Sequence, residues 1–157
     1  GNLTEMKSFS DKALKIAPDI IIGNYEVQGL PGFSAKGRIF AEVAKSYALI
    51  GDFNVAYKLL GTIESDRFYK EGVSEILIIQ AKSDKIGARN LASKMLELGG
   101  KIIDNKFLGQ VAYAQAITGD IENSLLTTKK MDIGFDFSQV LINIAKQISL
   151  QQASPLT

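Results

Sequence analysis

Residues 40–63 read FAEVAKSYALIGDFNVAYKLLGTI, and this stretch decides how the rest of the chain is read. Ile39, Phe40, Val43, Ala44, Tyr47 and Ala48 recur at three- and four-residue spacing, so they share one face of a helix. Gly51 suits the left-handed position that ends such a helix. The Asp52 carboxylate can then accept from the unpaired N–H groups that open the next one. Val55, Ala56, Leu59, Leu60 and Ile63 supply the apolar face of that second helix. Elsewhere no apolar–polar alternation is bounded by turn signals, so the spacing predicts an all-α chain.

The same punctuation returns further along. Gly51-Asp52, Ser83-Asp84 and Gly119-Asp120 each separate an apolar helix from a following one, with the aspartates 32 and 36 residues apart. A small residue follows four positions after each aspartate (Ala56, Ala88, Ser124). An apolar one follows at eleven (Ile63, Met95, Met131). Gln80-Ala81 and Gln115-Ala116 precede the second and third turns. Self-similarity at this period is the mark of stacked helix–turn–helix units. The middle unit needs a one-residue gap near Lys82 to fit. Leu141, Ile144, Ala145 and Ile148 repeat a first-helix pattern without a partner helix, as a terminal cap would.

The order Phe40-x2-Val43-Ala44-x2-Tyr47-x8-Ala56-x3-Leu60-x2-Ile63 resembles the tetratricopeptide repeat in a degenerate form. The resemblance implies a right-handed α–α superhelix, a solenoid of antiparallel helix pairs, over residues 36–151. Small Ala44 and Ala56 would let paired helices approach, and Phe40, Tyr47 and Leu60 would fill the space between units. The turn proline of the family is missing after Ile63, Met95 and Met131, and Gln115 and Thr128 stand where larger residues belong. Another helical-repeat solenoid of similar period would carry much the same pattern. Residues 13–20 align with 56–63, so residues 1–35 read as a partial N-terminal unit plus an inserted loop, with residues 4–17 as the unit's second helix, ended or kinked by Pro18. The loop spans 21–35, with a plain connector as its simplest role. Residues 152–157 read as a frayed tail.

A chain of 157 residues with 46% apolar and 22% charged side chains falls in the range of one globular domain. No apolar run reaches the ~18 residues of a spanning helix. Lys plus Arg is 18 against 17 Asp plus Glu, so net charge draws the chain neither to nucleic acid nor to a membrane. Histidine and cysteine are both absent, which removes disulfides, thiol nucleophiles, Cys/His zinc sites and histidine-based triads. No phosphate-binding loop, EF-hand or nucleophile elbow is present. Glu71 and Glu75 stand four apart and are the best carboxylate pair, but a solvated helix face accounts for them. Asp52, Asp84 and Asp120 each have a sufficient role as a helix cap. Neither enzyme activity, nor a metal, nor a cofactor is therefore expected. No signal-peptide pattern follows Gly1, and the compartment is left open.

The resemblance also implies which residues face the groove, since the first helix of each unit lines the concave surface. Those positions are Arg38 and Lys45 (with Ala41, Ala48 and Leu49), then Lys70 (with Val73, Leu77 and Gln80), then Lys106 and Tyr113, and finally Lys146. The middle register is open by one residue, and a shift would bring in Glu71. The polar members are mostly basic, which suits a protein or peptide partner with acidic side chains or a terminal carboxylate. Single-stranded nucleic acid is the weaker alternative, with one groove aromatic, Tyr113, and a net charge of +1. An enzyme built on an unmotifed carboxylate site is the other. An exposed apolar face on an incomplete terminal unit leaves room for a homodimer.

Overall fold

The computed structural model describes residues 2–16, 35–63, 66–97 and 104–153. Among these the chain is all helical: α1 (Leu3–Ile16), α2 (Ala35–Leu49), α3 (Phe53–Leu60), α4 (Asp66–Ser83), α5 (Lys85–Glu97), α6 (Asn105–Ile117), α7 (Ile121–Thr128) and α8 (Phe135–Ala153), packed antiparallel and without strands. The proposed insertion at 21–35 lies outside the described residues but for Ala35, which opens α2. At the far end Gln152 and Ala153 still belong to α8, so the helix outlasts the start assigned to the tail.

The chain divides into two compact units, residues 1–76 and 77–157. In the first, α1 packs on α2 and α2 pairs with α3. Ala44 and Ala56 are wholly buried, as small residues at a close helix approach should be, and Leu60 fills the space beside them. Tyr47 is buried too, and its hydroxyl donates to the Asp11 carboxylate of α1, which ties the first helix to the second. In the second unit α6 pairs with α7, and both pack on α8, while α5 packs on α6. Ala112, Ala116 and Ile144 form its core, with Ile121, Val140 and Ile148 against them.

The turns between paired helices share one geometry. Gly51 has φ 88° and Gly119 φ 83°, a left-handed conformation that side-chain-bearing residues avoid. Gly51 N–H donates to Ala48 and Asp52 N–H to Tyr47, at 3.0 and 2.9 Å. Gly119 to Ala116 and Asp120 to Gln115 repeat those bonds 68 residues later, at the same lengths. This is the Schellman arrangement, which satisfies carbonyls left over at a helix end. Ile63 and Met131, also 68 apart, are the buried residues that follow α3 and α7.

The connector between α4 and α5 differs. It is Asp84 alone, whose N–H donates to Gln80, four residues back where the other turns reach five. The missing residue is thus the glycine, and Gln80 takes the place of Tyr47 and Gln115. Asp84 caps α5, accepting from Gly87 N–H at 2.9 Å, as Asp52 caps α3 by accepting from Val55 N–H at 3.2 Å. Asp120 departs from its expected role: its carboxylate makes no backbone cap and accepts instead from Asn123 Nδ2 at 3.0 Å. A cap not anticipated from the pattern is Asp104, which accepts from Phe107 N–H at the start of α6.

Candidate functional site

Arg38 is exposed on α2 and lines a cleft of about 300 Å³ between α2 and α4. Gly72 on the α4 side keeps this contact close, since a Cβ there would stand 3.5 Å from that of Ala41 and overlap Leu60. The cleft also holds Glu42, Arg67, Glu71 and Glu75. Glu75 pairs with Lys45 at 2.8 Å and Glu71 lies 3.6 Å from Arg67. The hydrogen bond to Glu75 pushes the Lys45 ammonium above its ordinary pKa, so Lys45 keeps its charge through the neutral range. This surface is of mixed sign. The two carboxylates singled out by their four-residue spacing are each held against a cation.

The middle register explains why acidic groups enter here. With the deleted glycine placed at the α4–α5 connector, the residue equivalent to Arg38 is Glu71, one position past Lys70. Val73 and Leu77, expected along the groove, are instead core residues, 5% and 0% exposed, and Gln80 is buried beside them. Lys70 itself is half-buried on α4 and does not line the cleft.

In the second unit Lys106 is exposed in the first turn of α6, and Tyr113 is half-buried two turns further along the same face. Lys146 is exposed on α8. The three project from two neighbouring helices, and no cavity described here gathers them. Gln115, which the repeat pattern treats as a departure, is buried and accepts from Thr127 Oγ1 at 2.8 Å. Thr128, the other departure, donates to Ser124 O at 2.9 Å. Both positions therefore carry satisfied polar groups in place of apolar bulk. Among the described residues no group of three acidic side chains is placed to hold a metal ion, and no helix is long and apolar enough to cross a membrane.

A second cleft, of about 480 Å³, runs between α1 and α2. Met6, Phe9, Ala13 and Val43 give it apolar walls, and Glu5 and Glu42 stand on it. The repeat pattern begins at residue 36 and so assigned no site to residues 3–16, although α1 carries a distinct apolar face. The spacing of Met6, Phe9, Ala13 and Ile16 was the available signal. Comparison of the chain with protein-family models, with curated proteins and with solved structures gave no match.

Proposed function

We propose that this chain is a tetratricopeptide-like helical-repeat module that binds a protein or peptide partner and performs no covalent chemistry. The observation that carries the reading is the recurrence, 68 residues apart, of a helix pair with the same turn torsions and the same hydrogen bonds. Units of this kind bury their apolar faces by stacking on neighbours, and a small constant rotation per unit produces a right-handed superhelix with a concave surface. Such a scaffold binds with fixed side chains and needs neither histidine nor cysteine.

The groove chemistry favours an extended peptide with carboxylates. In the second unit the acidic-peptide reading rests on Lys106 and Lys146, with Tyr113 for apolar contact; in the first unit Arg38 is exposed and Lys45 is paired with Glu75. Cations in such a surface steer and orient more than they add affinity. The test is selection from a displayed random-peptide library, followed by anisotropy titration of the selected peptide labelled with fluorescein. The expected outcome is enrichment of acidic or carboxylate-ended peptides, with affinity lowered about tenfold or more by Lys106→Glu combined with Lys146→Glu. Selected peptides without acidic character, or unchanged affinity in the double variant, would overturn the groove assignment.

A further inference from the structure

Arg38-Ile39-Phe40-Ala41-Glu42 on α2 and Arg67-Phe68-Tyr69-Lys70-Glu71 on α4 share one spacing, an arginine followed by a glutamate four residues on. Each arginine and its glutamate therefore lie on one helix face, about 6 Å apart along the axis. All four line the cleft of about 300 Å³ in the first unit. A Cβ on Gly72 would stand 3.5 Å from that of Ala41, and Lys45 reaches Glu75 at 2.8 Å. The two helices thus run parallel, with residue 41 level with 72 and residue 45 level with 75. In that register Arg38 stands beside Arg67, and Glu42 beside Glu71. Like charge faces like across the cleft, an arrangement that costs energy unless something lies between. Internal pairing leaves this polarity standing. Among the described residues no bond or ion pair holds the Arg38 guanidinium. Arg67 and Glu71 are 3.6 Å apart with the Arg67 side chain 65% exposed, a pair that contributes little and can open. At the acidic end Lys45 is bonded to Glu75 and feels the charge of Glu42, so one ammonium meets three carboxylates there.

We propose that this cleft takes an extended peptide segment that carries one acidic and one basic side chain two residues apart. The inference rests on the peptide-binding reading, and gives the first unit a ligand of mixed sign where the second takes an acidic one. In an extended chain residues i and i+2 point the same way and stand about 6.6 Å apart. That matches the step of about 6 Å from each arginine to its glutamate. The acidic side chain lies between Arg38 and Arg67, whose planar guanidinium groups suit a carboxylate. The basic one lies between Glu42 and Glu71. Ala41 and Gly72, which carry little or no side chain, leave the floor open to the peptide. Selectivity comes as much from repulsion as from attraction. A segment with two acids sets the second against Glu42, Glu71 and Glu75, and one with two bases sets a cation against both arginines.

Titration of the isotope-labelled intact chain with end-blocked nonapeptides, followed by backbone amide chemical shifts to millimolar peptide, tests it. Three peptides share one serine–threonine background and differ at two positions two apart, which hold Asp and Lys, two Asp, or two Lys. The Asp–Lys peptide shifts amides of α2 and α4 and binds about fivefold or more tightly than either like-charged peptide. Arg38→Glu moves the preference to the two-Lys peptide, and Glu42→Lys moves it to the two-Asp peptide. A purely structural role for these side chains would move neither. Both residues are exposed, so loss of fold is not the expected result, and circular dichroism checks it. The comparison of the three peptides on the wild type stands without any variant. Equal affinities overturn the proposal. So do amide shifts confined to other helices, an unmoved preference in the folded variants, or no shift with any peptide. If the random-peptide library still yields binders while these peptides fail, the failure belongs to this cleft and not to the peptide-binding reading.

Discussion

Tyr47 does two jobs with one side chain. Its ring fills the interior between α1 and α2, and its hydroxyl is bonded to Asp11. Burial first, and then the bond and charge of Asp11, push its pKa from 10.0 to about 12. The fold thus prefers the neutral phenol. That preference contributes in full below pH 10 and is lost as pH climbs toward 12, because the unfolded chain releases the proton earlier. Melting temperatures measured between pH 9 and 11.5 should therefore fall more steeply for the wild type than for Tyr47→Phe, which cannot ionise. Parallel curves would mean that the hydroxyl is not held as described. The turn glycines work at the same scale: Gly51 meets nothing within 4 Å of a built Cβ, so its role is the φ of 88° alone.

At the scale of the element, the α6–α7 pair shows how a degenerate position is repaired. Gln115 and Thr127 bond to each other inside the pair, and Ser124 Oγ donates to Ala112 O at 2.7 Å. Thr127→Val alone would strand the buried Gln115 carbonyl oxygen, at a cost of about 1–3 kcal/mol. Adding Gln115→Leu should restore much of that, since the second change removes the orphaned acceptor. Chemical denaturation of the two singles and the double checks it, and additive losses would show that the bond is not the source of the effect. The pair was legible in outline from the chain: turn glycine, aspartate and small residues lie where the repeat pattern puts them. The internal bond was not, because Gln115 and Thr127 carry no pattern until the two helices are packed. Placing the missing residue of the α4–α5 connector likewise needed a backbone bond, Asp84 to Gln80, which no residue type announces. The candidate site suffered from the same limit. Lys45 reads as a groove cation until Glu75, thirty residues on, is brought to 2.8 Å.

At the scale of the whole molecule, the helices described pack within each unit on helices one or two places away in the chain. In the second unit α5 packs on α6, α6 on α7 and α8, and α7 on α8. In the first, α2 holds α1 and α3. A helical-repeat array, the architecture proposed for this chain, would store stability locally, as a sum over units and their nearest interfaces. Ile144 offers a sharp probe, being 2% exposed in the core of α6 and α8. Ile144→Ala removes buried methyl groups and leaves a cavity, a loss of about 2–5 kcal/mol. If stability is local, amide hydrogen exchange under native conditions should accelerate in α6, α7 and α8 while protection in α2 and α3 stays near that of the wild type. Equal acceleration in both units would mean that they open only together. A single cooperative core would then govern the chain, and the premise that it is assembled from separable helix pairs, on which the scaffold reading depends, would fail.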